Sequence, residues 1–245
     1  GEPYYNLGRC LKLQSRMDEA YDAFFKSTWN AAWKDPGYFS VAQIDCIRGN
    51  WDIALENIEQ SLIHNWHNHK ARQLKASILR KMGRKEEALK WVEDSLSLDQ
   101  FNIGCLFERY LLTLRHDEIN QIKRLLQDNY HTYLEYALDF MDAGLYEEAA
   151  ELLQLFLDER KEVYPIVYYT LGYIAFHNND PDKAKNFYEK AASMSPDKCF
   201  PNRIEEAVIL KHALSLNPMD YKAFYYLGNF WYANRQYKEA IDGWE

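Results

Sequence analysis

Gly83-Arg84-Lys85-Glu86-Glu87-Ala88 reads as a turn followed by an acidic helix start, and the chain repeats it. Ser15-Arg-Met-Asp-Glu-Ala20 and Gly49-Asn-Trp-Asp-Ile-Ala54 precede it, and Ala20, Ala54 and Ala88 are each 34 residues apart. Gly144-Leu-Tyr-Glu-Glu-Ala149, Asn179-Asp-Pro-Asp-Lys-Ala184 and Arg235-Gln-Tyr-Lys-Glu-Ala240 continue the pattern. Twelve residues before each alanine stands a small residue: Gly8, Ala42, Ala76, Ala137, Gly172 and Gly228. A large residue follows each alanine by four: Phe24, Ile58, Val92, Leu153, Tyr188 and Trp244. This spacing predicts two antiparallel helices joined by a short turn near Gly49, Gly83 or Gly144. The small residue and the alanine let the two backbones approach, and the large residue fills the gap against the next pair. One pair cannot bury its own apolar face, so pairs must stack.

Composition agrees. Gly (10) and Pro (7) make up about 7% of 245 residues, against a usual share near 12%. Sandwiches, barrels and dinucleotide-binding sheets need more of both. The aromatic content (Trp 7, Tyr 19, Phe 12) argues against disorder, because such a chain can bury ample apolar surface. A net charge of −8 disfavours nucleic acid and anionic membrane as partners. The longest apolar run, Ile166 to Phe176, is far short of the ~20 residues of a membrane span. A soluble chain is expected, with a cytoplasmic place favoured. Its start at Gly1 instead of Met suggests a fragment or processed product. Cys10, Cys46, Cys105 and Cys199 form no CxxC motif and read as buried structural thiols on helices.

The spacing and residues resemble the tetratricopeptide repeat family. Tyr168-Tyr-Thr-Leu171-Gly172 with Ala184, Tyr188, Ala191 and Pro196 carries the resemblance, as does Phe224-Tyr-Tyr-Leu227-Gly228 with Ala240. It implies an all-α, right-handed superhelical solenoid of antiparallel helix pairs over residues 1–245. The repeats would be 1–34, 35–68 and 69–102, a degenerate unit at 103–129, then 130–164 and 165–198. A half-repeat at 199–220 and a truncated one at 221–245 would follow. The degenerate unit, with Arg115-His-Asp-Glu118 at its turn and Ile122 at its alanine position, reads either as tolerated drift or as a kink. In the half-repeat, Ser195-Pro-Asp-Lys-Cys-Phe-Pro-Asn-Arg203 carries two prolines that prevent a first helix. Only one helix, about Asn202 to Leu216, fits before Pro218. Stopping at Glu245, the last helix should fray.

Cys199-Phe-Pro-Asn-Arg203, a helix ending at Asn217-Pro218, and Tyr225-Tyr-Leu-Gly-Asn229 are similar to something narrower. This is the C-terminal repeat region of a bacterial family of unknown function with a β-rich, carbohydrate-enzyme-like N-terminal part. That resemblance implies a helical accessory region whose Arg203 loop meets the other part; an ordinary surface loop is the alternative.

The family resemblance also implies a groove lined by the first helix of each pair. Its lining would be Tyr5, Arg9, Lys12, Phe39, Gln43, Gln73, Ser77 and Arg80, with Phe107 and Leu111 from the degenerate unit. Leu134, Met141, Tyr169, Tyr173, Phe176, Tyr225, Asn229 and Tyr232 would continue it. The early part is mixed and somewhat basic; the late part is aromatic, with large contact area and polar tips. Packing between helices could absorb some of these tyrosines. Tyr5 and Arg9 stand where a carboxylate clamp would have Lys and Asn, which argues against that subtype.

Catalytic signals are absent. His64, His67 and His69 lie at a repeat join without supporting ligands, so no metal is expected. There is no phosphate loop, zinc-protease helix or nucleophile elbow. Carboxylates cluster at helix starts, where they suit the dipole. Asp45 and Asp139, inside first helices, read as solvent-facing. The resulting expectation is a non-catalytic scaffold without cofactor, binding a protein, a peptide or another domain of the same chain. Direct sugar binding by the tyrosines is a weaker alternative.

Overall fold

The computed structural model describes residues 1–127, 129–157 and 163–245. Among them every regular element is a helix: α1 (Glu2–Leu13), α2 (Met17–Ser27), α3 (Lys34–Ile47), α4 (Trp51–His64), α5 (His69–Lys81), α6 (Lys85–Leu98), α7 (Ile103–Thr113), α8 (His116–Leu126), α9 (Tyr130–Met141), α10 (Tyr146–Leu157), α11 (Pro165–His177), α12 (Pro181–Ser193), α13 (Ile204–Leu216), α14 (Tyr221–Ala233) and α15 (Tyr237–Trp244). A single 3₁₀ turn, Ala31–Trp33, leads into α3. The chain divides into two compact units. The first takes Gly1–Asp128 with Asp139–Leu145, the second Asn129–Leu138 with Tyr146–Glu245.

The repeat positions explain the pairing. Ala20, Ala54, Ala88, Ala149, Ala184 and Ala240 are all fully buried, and so are their small partners. A Cβ on Gly8 would lie 2.7 Å from the Phe24 ring, and one on Gly172 would collide with the Tyr188 ring. The large residue therefore lies flat on the small residue of its own pair. The same Phe24 also packs with Val41 and Ile44 of the next pair. Burying such a ring contributes about 1.5–3 kcal/mol, which is how stacking stabilises each unit. Helices α7 and α8 have 11 residues each, and Ile122 on α8 is fully buried.

Side chains cap several helix starts. Asn68 accepts from the Ala71 N–H, Asn102 from Cys105 and Asp180 from Lys183. Helix α13 follows the loop carrying Pro196 and Pro201 with no first helix before it. Glu206 Oε2 closes its start by accepting from the N–H groups of Asn202 and Arg203 at 2.8 and 3.1 Å.

Several expectations need correction. Glu118, Glu148 and Glu206 sit at helix starts as expected, yet they are buried. Asp45 is 1% exposed, not solvent-facing, and its Oδ2 accepts from Asn57 at 2.9 Å. Asp139 is paired with Lys70 at 2.6 Å. Cys10 is exposed, and Cys199 is buried in a loop, not a helix.

Candidate functional site

In the first unit, the expected lining residues divide sharply. Arg9 is exposed. Tyr5 packs on Phe24 and Trp33, with ring centroids 5.5 and 4.9 Å apart. Phe39 and Leu111 are half-buried. Gln43, Gln73, Ser77 and Phe107 are buried. Glu108, which had no place in the expected lining, organises the centre of this face. It is fully buried, accepts from the Ser77 hydroxyl at 2.6 Å, and takes two hydrogen bonds from the Arg80 guanidinium at 2.6 and 3.0 Å. A buried carboxylate tolerates such a position because the paired guanidinium satisfies it in two places.

Lys12 reaches across the same face. Its Nζ donates to Gln43 Oε1 at 3.3 Å and to Asp142 Oδ1 at 3.0 Å. Met141 is buried. The Asp139–Leu145 segment of the first unit thus lies against several of the expected lining residues.

In the second unit, Leu134 is buried, and Tyr169 is a core residue, not a lining one. Its hydroxyl donates to Asp220 Oδ2 at 2.8 Å, and its ring stands edge-on to Tyr226. Tyr173 is half-buried, with its ring 4.4 Å from that of His177 and edge-on to His212. Phe176 is 39% exposed. Burial pushes His177 and His212 below the ordinary histidine value. Arg203 also turns inward: its guanidinium donates to Glu206 and to the His131 carbonyl, each at 3.3 Å. The adjoining loop is tied down as well, the Phe200 N–H donating to the Tyr164 hydroxyl at 3.2 Å. These bonds leave the Arg203 side chain 24% exposed, while Phe200 stays at the surface.

Tyr225 and Tyr232 remain accessible, and Asn229 is partly buried. Tyr225 and Asn229, one turn apart on α14, line a pocket of about 560 Å³. Pro218, Met219, Tyr221, Phe224 and Trp244 form most of its apolar wall, while Asp242 adds a carboxylate. Phe224, Tyr225 and Trp244 are 38%, 43% and 45% exposed. Asn229 Nδ2 is buried without a hydrogen-bond partner. Tyr232 packs beside Trp244, 5.8 Å between ring centroids. Met219 and Tyr221 were missed because they precede the repeat's lining positions. Met219, an apolar residue directly after the helix-ending Pro218, was the available signal.

Among the described residues, no group of three or more His, Cys, Asp or Glu side chains is placed to hold a metal ion. No described helix is long and apolar enough to cross a membrane.

Residues 69–102 and 166–198 match the tetratricopeptide repeat model. No curated protein matches the chain. Among solved structures, it is similar to a tetratricopeptide repeat protein from Parabacteroides merdae: 15% identity, 99% of this chain and 90% of that one, TM-score 0.46. It is also similar to PilF of Pseudomonas aeruginosa, at 16% identity over 80% of this chain and 92% of that one, TM-score 0.45. YrrB, a protein with an unusual peptide-binding site, shares 15% identity over 86% and 90% of the two chains, TM-score 0.38. Neither the helical architecture nor these matches supports the narrower resemblance to a carbohydrate-enzyme-like family. What the matched segments and the buried alanine register establish together is that this chain contains tetratricopeptide repeats.

Proposed function

We propose that the chain is a non-catalytic scaffold that binds a protein or peptide segment, with the α14–α15 pocket as a contact site. The observation that carries this reading is the half-exposed aromatic wall of Tyr225, Phe224 and Trp244 around Asn229. Aromatic rings give rigid contact area at little entropic cost, and they concentrate binding energy at interfaces. The register adds support. Tyr169 and Tyr225 hold equivalent places before Gly172 and Gly228, yet Tyr169 is covered and Tyr225 is open.

Peptide display against the full chain, followed by calorimetry on the selected sequences, tests this. The expected peptides carry an aromatic or aliphatic anchor. They lose about tenfold or more in affinity on Tyr225→Ala, as truncating an interface anchor does. Equal affinity for wild type and for both Tyr225→Ala and Asn229→Ala sinks the assignment.

A further inference from the structure

The α14–α15 pocket is walled by aromatic rings, and its charge is negative. Tyr221, Phe224 and Tyr225 on α14 and Trp244 on α15 supply the rings. All are partly open, from 38% at Phe224 to 75% at Tyr221. Asp242 and Glu245 line the same space, and no Lys, Arg or His does. Lys222, next to Tyr221, turns elsewhere and donates to the Met194 carbonyl. The Trp244 indole lies on Gly228, where a Cβ would collide with it, so this wall is seated on the α14 backbone.

These features select among ligands. An anion would meet two carboxylates. A neutral apolar group would fill the walls but strip water from those carboxylates without pairing them. A primary ammonium is strongly hydrated and would lose that water against mostly apolar walls. A quaternary ammonium carries its charge on methyl groups, which pack on the negative faces of aromatic rings. We propose that the α14–α15 pocket binds a quaternary ammonium group, as carried by choline or by a trimethylated lysine. This rests on the pocket being a contact site and names the chemistry it takes. The net charge of −8 adds attraction for cations at long range. An aromatic or aliphatic peptide anchor would use the same rings, but only the cation uses the carboxylates.

Titration of choline into the full chain, followed by NMR of its methyl resonance, tests this. Dimethylbutanol, in which a carbon replaces the nitrogen, is titrated in parallel. Choline should bind about tenfold more tightly than the alcohol, and its methyl signal should move upfield over the rings. Asp242→Asn should weaken choline about threefold and leave the alcohol unchanged. Trp244→Leu keeps apolar bulk, removes the indole face and should weaken choline about fivefold. Asp242 is exposed, so its variant decides the matter even where Trp244→Leu does not fold. A Gly-Gly-trimethyllysine-Gly-Gly peptide, compared with its unmodified lysine form, distinguishes a modified protein from a free small molecule as the source. Equal affinity for choline and the alcohol, no binding of either choline or the trimethyllysine peptide, or choline affinity unmoved by Asp242→Asn overturns the proposal. Selected peptides that depend on Tyr225, with no response to choline, leave the scaffold reading standing and remove this one. Choline binding without any selected peptide does the converse.

Discussion

The Tyr169 hydroxyl donates to Asp220 Oδ2 across 2.8 Å with both side chains sealed from solvent. The other oxygen of Asp220 caps α14, accepting from the N–H groups of Lys222 and Ala223 at 3.2 and 3.0 Å. One helix thus fixes the start of another through a single carboxylate. Tyr169→Phe leaves the cap in place but strips Oδ2 of its donor in a dry site. The expected loss is about 1–3 kcal/mol, read as a lower urea midpoint. An unchanged midpoint would mean that water replaces the phenol.

Alkaline pH should unfold the second unit through its tyrosines. Burial holds the phenols of Tyr164, Tyr169, Tyr188 and Tyr226 above the ordinary tyrosine value; at Tyr169 the Asp220 charge adds to it. In the unfolded chain these groups ionise near pH 10. Their folded values are raised, so the stabilisation is full below about pH 10 and is lost as pH rises further. Ultraviolet phenolate absorbance and helical circular dichroism should change together for this group. Phenolate appearing at these four residues with the helices intact contradicts their burial.

The turn of the repeat gives a backbone prediction. The residue five places before each repeat alanine has positive φ: Ser15, Gly49, Gly83, Gly144, Asn179 and Arg235, between 58° and 76°. An L-residue there costs roughly 1–2 kcal/mol. Nothing lies within 4 Å of a Cβ built on Gly83, so Gly83→Ala isolates the backbone cost. It should lower stability by about 1 kcal/mol. Arg235→Gly relieves the same strain but loosens the unfolded chain, for a net gain of about 0.5 kcal/mol. Thermal melts of the two variants should move in opposite directions.

The cysteines should separate cleanly by reagent. Cys10 is exposed on α1, whereas burial pushes the thiols of Cys46, Cys105 and Cys199 up to about 12. Only the thiolate reacts. A thiol reagent at about pH 8 should modify Cys10 alone in the folded chain and all the cysteines in denaturant. Labelling of Cys199 at the rate of Cys10 would show that the loop before α13 opens.

The helix pairs were legible because their signals are local. Ala88 and Gly83 are five residues apart, and the turn between them is the same wherever that spacing recurs. Contacts that cross the first unit were not legible: Lys70 and Asp139 are 69 residues apart, Lys12 and Asp142 are 130. Asp139 inside a first helix was the visible trace, but a carboxylate there reads equally well as solvated. Tyr169 and Tyr225 show the other limit. Period alone makes them equivalent, yet the first is covered and hydrogen-bonded to Asp220, while the second is 43% exposed. Which lining position is open depends on what packs over it, and a repeat register does not encode that. Cys10 fails for the same reason, since its helix position allows either burial or exposure.

Asp45 offers the sharpest test of how the repeat tolerates a buried charge. It lies on α3 with 1% exposure, and its Oδ2 accepts from Asn57 at 2.9 Å. Burial raises its pKa above the ordinary carboxylate value, while the Asn57 bond, Arg48 and Tyr21 act in the opposite direction without cancelling it. A raised folded value means the folded chain prefers the protonated form. That preference is fully present below about pH 4, the unfolded value, and is lost as pH rises through the folded one. At neutral pH the charge is therefore a net cost. Asp45→Asn keeps a carbonyl oxygen to accept from Asn57 and removes the charge. The variant should be more stable than wild type at about pH 7, and the advantage should shrink as pH falls toward about 4. Urea midpoints at the two values decide it. A variant less stable than wild type at neutral pH would show that attraction to Arg48 outweighs the cost of burial.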